Sequence, residues 1–186
     1  MGRRRRIDRS AVLAAAEAVI AEAGATGLTI DAVAARAGIS KGGVLYCYPS
    51  KRALVDALLE RDLAGFAADA RRLTDSDSDA PAARLLGHVA ATRAEPARCR
   101  AKAASLLTAA IRTPGEQEPI RADYRRILAG ADTGTVEGRR ALLAFFAAEG
   151  MFLLRGLGFV SLPAEDWDLL LAEAEELGRQ GGPKDD

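Results

Sequence analysis

Apolar residues recur at helical spacing along most of this 186-residue chain. In the first such stretch, from about residue 9 to residue 23, they fall at the i, i+3, i+4, i+7 and i+8 positions of one helix face: Val12, Leu13, Ala16, Val19 and Ile20. Comparable patterns predict a long helix near 51–73 and further helices near 81–93, 96–112, 120–129, 136–157 and 163–179. With the two short helices described next, the pattern predicts an all-α fold of about nine helices.

The segment from residue 29 to residue 38 is typical of a short helix that ends in a tight turn. Thr29 is a favourable N-cap, because its hydroxyl can accept a hydrogen bond from a free backbone N–H. Val33 and Ala34 form the inward face, and the small side chain of Ala34 allows a second helix to cross closely. Gly38 then supplies the left-handed backbone at the turn, which residues with a Cβ resist.

A second short helix is predicted to begin at Ser40, with Val44 and Cys47 facing inward. Its outer and flanking residues are Lys41, Gly42, Gly43, Leu45 and Tyr46. A helix of about two turns with such a face fits the major groove of DNA. The two short helices therefore predict a helix-turn-helix that shares a three-helix core with the first helix, although a purely structural helical hairpin matches part of the same pattern.

The stretch SKGGVLYCYPSKRAL resembles the signature of the TetR family of transcriptional regulators, in a variant that reads S-K-G-x-L-L-Y-H-F-P-S-K-x-x-L. Two departures matter: Cys47 stands where the variant has His, and Tyr48 stands where it has Phe. The resemblance covers residues 10 to 60 and implies a DNA-binding domain at 1–50, followed by an effector-binding and dimerisation domain at 51–186. Its implied partners are double-stranded operator DNA, a small-molecule effector and a second copy of the chain.

The charge distribution agrees with DNA binding by the N-terminal part. Residues 1 to 52 hold 9 Lys and Arg against 4 Asp and Glu, whereas the remainder holds 17 against 22. We expect Lys41 to reach guanine and Lys51 to face phosphate at the start of the long helix. The N-terminal arginines fit equally well an arm that follows a minor groove and a solubilising tail. The full set of expected DNA contacts is Thr29, Ser40, Lys41, Gly42, Gly43, Leu45, Tyr46, Tyr48, Lys51, Arg3, Arg4, Arg5 and Arg6.

The C-terminal part contains residues that could surround an effector, although an aromatic residue at helical spacing is more often part of a core. The candidates are His88, Cys99, Tyr124, Phe145, Met151 and Phe152. His88 is the only histidine in the chain and lies among apolar residues, so it is either partly exposed or paired with a buried partner. The segment ALLAFFAAEGMFLLRGLGF is apolar nearly all round, and a second copy is the simplest partner for its extra face, although a central core helix of one chain has the same pattern.

Several other classes of protein fit the sequence poorly. We expect no enzyme, cofactor or metal site, because the chain has one His and two Cys and lacks a nucleophile elbow or a phosphate-binding glycine loop. No run reaches ~18 unbroken apolar residues, so we expect no membrane partner and a cytoplasmic location. The alternative function is a helical protein-interaction adaptor, which leaves the basic N-terminal part unexplained.

Overall fold

A computed structural model describes residues 7–74, 80–112 and 117–180. Within these ranges the protein is all-helical, which confirms the predicted fold class, and the helices number nine. They are α1 (Arg9–Gly27), α2 (Ile30–Ala37), α3 (Lys41–Cys47), α4 (Lys51–Arg72), α5 (Pro81–Ala94), α6 (Ala97–Arg112), α7 (Glu118–Leu128), α8 (Val136–Gly156) and α9 (Ala164–Arg179). The predicted arginine arm, Arg3 to Arg6, lies outside the described residues.

The chain forms two compact units. The first consists of Met1–Arg61 and Ser105–Pro119, and the second of Asp62–Ala104 and Ile120–Asp186. The unit boundary does not coincide with the predicted domain boundary at residue 50, because α4 and α6 are continuous helices that each contribute residues to both units. The division into a DNA-binding part and an effector-binding part is a functional one and stays a prediction.

The first unit has the three-helix core that the apolar pattern predicts. All five members of the α1 stripe are buried, and Leu28, just after α1, is fully buried as well. Gly24 has φ of 68°, so the regular helix is interrupted close to its predicted end and one further turn follows. Leu54 and Leu58 in the first part of α4 are fully buried as well.

The second unit is organised around α5, α8 and α9, which pack on one another. Its core contains Leu85 and Val89 from α5, Phe145 from α8 and Leu171 from α9, and all four are at most 3% exposed. Thr135 caps α8 by accepting a hydrogen bond from the backbone N–H of Gly138 at 3.0 Å. Two of these three helices, α5 and α8, carry polar residues of the buried cluster described below.

One of the helices described, α1, is long and apolar enough to cross a membrane by length and composition. This is weak evidence, because core helices of soluble proteins pass the same test. A third of the qualifying α1 window is buried inside the structure.

Candidate DNA-binding surface and buried polar cluster

The turn between α2 and α3 has the backbone that the sequence predicts. Thr29 Oγ1 accepts a hydrogen bond from the N–H of Ala32 at 3.0 Å, and this bond caps α2. Gly38 adopts φ of 65° and ψ of 32°, which is left-handed backbone. The N–H of Ile39 then donates to the carbonyl of Ala34 at 3.1 Å and closes the turn. The residue types at these positions thus fix the geometry of a helix-turn-helix.

The second helix of the motif, α3, presents a small exposed face. Ser40 Oγ accepts from the N–H of Gly43 at 3.1 Å, so the helix starts where the sequence predicts. Val44 and Cys47 are buried, which leaves Leu45 and Tyr46 outside. Tyr46 is 84% exposed, a large value for an aromatic side chain in a packed protein. Lys41 and Gly42 are exposed beside it.

Two residues of the predicted DNA-contact set, Gly43 and Tyr48, are buried, and the placement of Gly43 on an outer or flanking face of α3 was wrong. Gly43 is buried next to Ile7, and a Cβ added to Gly43 would be only 3.0 Å from Ile7 Cδ1. Tyr48 is 4% exposed, and its hydroxyl donates to the carbonyl of Arg9 at 3.2 Å. The Arg9 guanidinium also lies 4.8 Å from the centre of the Tyr48 ring. The hydroxyl that distinguishes Tyr48 from Phe therefore joins α1 to the end of α3.

Lys41 has an intramolecular partner that the sequence reasoning missed. Its Nζ donates to Asp31 Oδ2 at 3.0 Å. Asp31 lies in the first turn of α2, where the free backbone N–H groups favour a carboxylate. The signal was an acidic residue in the first turn of one helix and a lysine in the first turn of the next, but sequence spacing alone does not say that the two turns are adjacent.

Lys51 is the first residue of α4 and is exposed. Ser50 caps the helix by accepting from the N–H of Ala53 at 3.0 Å. A cation at the start of a helix is unfavourable for the helix dipole, whereas an anion bound there would interact with both the backbone and the lysine. This geometry suits contact with a phosphate.

A buried polar cluster joins three helices of the second unit. Glu149 of α8 accepts two hydrogen bonds, one on each carboxylate oxygen: His88 Nε2 lies 2.6 Å from Oε1, and the Tyr124 hydroxyl donates to Oε2. His88 is 7% exposed as a residue, and the Glu149 side chain is 15% exposed. The sequence predicted that His88 would be exposed or paired, and it is paired. Burial and the charge of Glu149 raise the pKa of Tyr124 above its usual range.

Aromatic rings enclose this cluster. The rings of Phe66 and Phe145 meet the His88 imidazole edge-on, at centroid distances of 4.8 and 4.9 Å. Tyr124 also packs against Phe145, at 6.2 Å. We call His88, Tyr124, Phe145, Glu149 and Phe66 the aromatic–carboxylate cluster.

The structure brings together only part of the predicted effector set. His88, Tyr124 and Phe145 belong to the aromatic–carboxylate cluster, and Met151 packs against the same core. Cys99 and Phe152 are half-buried and are not members of that core.

Sequence reasoning missed two members of the cluster. Glu149 is the only charged residue between Arg140 and Arg155, and a lone carboxylate in an apolar helix was a usable signal that it is buried and paired. Phe66 lies on α4, far from the others in sequence, and no local signal indicated its place.

A second group of charged residues lies in the same unit. Lys102 Nζ donates to Asp62 Oδ1 at 2.8 Å, and Asp62 Oδ2 is buried without a hydrogen-bond partner. Burial raises the pKa of Glu95 to about 7; the Arg100 charge opposes this shift and the Asp62 charge adds to it. Among the described residues, no group of three or more His, Cys, Asp and Glu side chains is placed to hold a metal ion.

The exposed side of α8 carries an apolar stripe. Its solvent-exposed residues, spaced by three, seven and four positions, are Leu143, Phe146 and Leu153 of the helix and Leu157 at its C-cap. Phe146 is 57% exposed and Leu143 is 59% exposed. Gly150 lies within the same stripe, and a Cβ added there would meet nothing within 4 Å. On α9, Leu169 and Leu170 are exposed too.

Comparison with protein families gives two matches. The family model described as bacterial regulatory proteins, tetR family, matches residues 12–58. A second model, described as tetracyclin repressor-like, C-terminal domain, matches residues 82–179, which is more than half of the chain. A comparison with curated proteins finds no match.

Solved structures share the fold at low sequence identity. A TetR transcription regulator from Haloarcula marismortui is 18% identical with a TM-score of 0.72, covering 93% of this chain and 97% of its own. A transcriptional regulator from Rhodococcus sp. Rha1 is 22% identical with a TM-score of 0.68, covering 94% and 97%. The multidrug binding protein EbrR, solved in complex with imidazole, is 21% identical with a TM-score of 0.58, covering 89% and 93%. The matched models, together with the helix-turn-helix geometry, assign the chain to the TetR family, and it is a DNA-binding transcriptional regulator.

Proposed function

We propose that this regulator is a homodimeric repressor that leaves a pseudo-palindromic operator when a small-molecule effector binds. The observation that carries the DNA-binding part is the exposed face of α3, where Lys41, Gly42, Leu45 and Tyr46 lie together on a helix held by buried Val44 and Cys47. In this proposal α3 enters the major groove, Lys41 reads a base edge and Lys51 contacts phosphate. Thr29 and Ser40, at the two helix starts, lie close to the backbone of the duplex.

Dimerisation is supported by the apolar stripe on α8. Single exposed apolar residues are normal on a protein surface, but a row at three- and four-residue spacing, with open space at Gly150, is typical of a helix that packs on another helix. A dimer would place two copies of α3 on successive major-groove faces, roughly 34 to 36 Å apart or at a longer spacing set by the dimer.

We further propose that the effector binds next to the aromatic–carboxylate cluster. EbrR is a multidrug binding protein of the same fold, which supports a small-molecule site in the second unit. In the DNA-bound dimer the two α3 helices are spaced to fit the operator. An effector would release DNA only to the extent that it binds more tightly to a form of the dimer in which this spacing does not fit the operator. TetR-family regulators are generally non-enzymatic, so we propose neither catalysis nor a cofactor, and we propose a cytoplasmic location.

Two lysine variants test the DNA-binding part, after selection of an operator from random DNA with the purified protein. Lys41→Ala should cost about 1 to 3 kcal/mol on the selected operator and less on a scrambled duplex, because the variant no longer reaches the base edge. Lys51→Ala should weaken both duplexes alike and reduce the log–log salt slope by roughly 0.9 for each phosphate that the variant no longer neutralises.

The decisive measurement is a titration of both variants on both duplexes at several salt concentrations. Equal weakening of the two duplexes by Lys41→Ala would mean that Lys41 reads no base. Failure to select any preferred sequence would count against the whole proposal.

A further inference from the structure

The contact between Asp31 and Lys41 joins the first turns of the two helices of the DNA-binding motif. Asp31 Oδ2 and Lys41 Nζ are 3.0 Å apart, and their side chains are 71% and 59% exposed, respectively. An ion pair this exposed contributes little to folding, because water solvates both charges and screens their attraction. The pair is therefore expected to affect the binding of DNA at this surface more than the stability of the fold.

The pair leaves the lysine able to read a base. An ammonium group has three N–H donors, and Asp31 occupies one of them. Two donors remain, which matches the two acceptors, O6 and N7, that guanine presents in the major groove. Gly42, the next residue, has no side chain to guide or obstruct the long lysine. A lysine already held at one donor loses less conformational freedom when it binds.

The carboxylate also acts on DNA by itself. Asp31 is exposed beside the recognition helix, so its negative charge repels the phosphates of any duplex that approaches this face. Asp31 is held in the first turn of α2 by the chain itself, and the dipole of that helix favours a negative charge at this position. Its charge thus remains at this surface whether or not Lys41 has moved to a base.

We propose that Asp31 is a specificity-determining residue of DNA recognition. It positions Lys41 Nζ for a base edge, and its charge weakens binding to DNA of any sequence. The positioning effect increases the ratio of operator affinity to nonspecific affinity, whereas the repulsion lowers both affinities and leaves their ratio unchanged. The positioning effect rests on the proposed base contact of Lys41, whereas the repulsion does not.

The test compares Asp31→Asn with the wild type on the selected operator and on a scrambled duplex. The amide has nearly the same shape as the carboxylate but no charge. Asp31→Asn should tighten binding to the scrambled duplex by roughly three- to tenfold for a dimer and tighten operator binding less, so that the specificity ratio falls. Asp31→Glu keeps the charge and should retain most of the ratio.

Glu22→Gln is the matched control. Glu22 Oε1 is paired with Arg36 Nη1 at 2.6 Å, its side chain is 60% exposed, and the pair lies in the same unit. Its substitution removes the same charge without touching Lys41, so the specificity ratio should stay within about twofold of the wild type. An unchanged ratio in Asp31→Asn, or an equal fall in Glu22→Gln, would overturn the proposal.

Combination with Lys41→Ala separates this inference from the function on which it rests. If Asp31 acts through Lys41, Asp31→Asn should lower the ratio less in the Lys41→Ala background than in the wild type. An equal fall in both backgrounds would overturn the positioning role. If Lys41→Ala alone leaves the ratio unchanged, the base contact of Lys41 is wrong, while tighter binding of Asp31→Asn to scrambled DNA still supports the repulsion.

Discussion

His88 and Glu149 meet across 61 positions of sequence, with Nε2 and Oε1 2.6 Å apart in the interior of the second unit. The other oxygen of the same carboxylate accepts from the Tyr124 hydroxyl, so a single side chain of α8 satisfies donors from α5 and α7. Buried donors without a partner are costly. The cluster therefore couples the positions of three helices through one carboxylate.

Glu149→Ala should lower the free energy of unfolding by about 2 to 4 kcal/mol, because it leaves His88 and Tyr124 with buried, unsatisfied donors. Glu149→Gln keeps one acceptor oxygen and should cost less. The measurement is denaturant unfolding of both variants at one fixed protein concentration, since dimerisation also affects apparent stability. A decrease below about 0.5 kcal/mol for Glu149→Ala would mean that water replaces the carboxylate without cost.

A second prediction concerns pH and the Glu95 carboxyl. Its pKa is raised from 4.5 to about 7 in the folded protein, chiefly by burial. Between these two values the folded state binds more protons at this site than the unfolded state, so its contribution to stability falls as pH rises through that window. Because the side chain remains partly exposed, we expect a change of only about 1 kcal/mol.

Glu95→Gln removes this titration. The variant should have a flatter stability profile between pH 4.5 and 7 and should be more stable than the wild type above pH 7 by about 1 kcal/mol. Thermal or denaturant unfolding across this window, from roughly one pH unit below it to one unit above it, measures both profiles. Parallel profiles for the two proteins would show that Glu95 does not titrate in this range.

Local signals were sufficient to predict the helices. The caps at Thr29 and Ser40, the glycine at position 38 and the apolar stripe of α1 each act within a few residues, so they can be read without knowledge of the fold. The contacts between distant residues could not be read in this way. Asp31 with Lys41, Phe66 with His88 and His88 with Glu149 depend on which helices become neighbours.

Gly43 and Tyr48 illustrate the same limit. The helix pattern predicts Gly43 on an outer or flanking face of α3, yet the residue is buried and a Cβ added there would lie only 3.0 Å from Ile7 Cδ1. Tyr48 belongs to the family signature and to the predicted DNA contacts, but its hydroxyl donates to a backbone carbonyl of α1 inside the unit. A polar atom or a small side chain does not by itself show whether a residue is exposed or buried, because that depends on which residues surround it in the fold.

A third prediction concerns the apolar stripe of α8. Phe146 is 57% exposed in the single chain, and Phe146→Arg places a charge where a second copy is proposed to pack. Burying that charge without a partner is strongly unfavourable, so the variant should be monomeric at micromolar concentration and bind operator far more weakly. Sedimentation equilibrium of the variant and the wild type checks the oligomeric state.

The control for this substitution is Leu73→Arg. Leu73 is also an exposed apolar residue, at 37%, but it lies after the end of α4 rather than on α8. This variant should keep the oligomeric state of the wild type. A dimeric Phe146→Arg protein would exclude the stripe as the interface.

The last prediction compares two helical glycines that differ in their surroundings. Gly138 is buried in the first turn of α8, and a Cβ added there would lie 1.9 Å from the backbone carbonyl oxygen of Asp132. A backbone oxygen cannot rotate away as a side chain can, so Gly138→Ala should destabilise the protein by about 2 to 3 kcal/mol.

Gly65 lies within α4, and a Cβ added there would have nothing within 4 Å. Gly65→Ala should therefore stabilise the helix by about 0.5 to 1 kcal/mol, because alanine loses less backbone entropy. Thermal unfolding of the two variants under identical conditions should shift the midpoint in opposite directions. A shared direction would show that helix propensity, rather than the contact with Asp132, determines the effect at position 138.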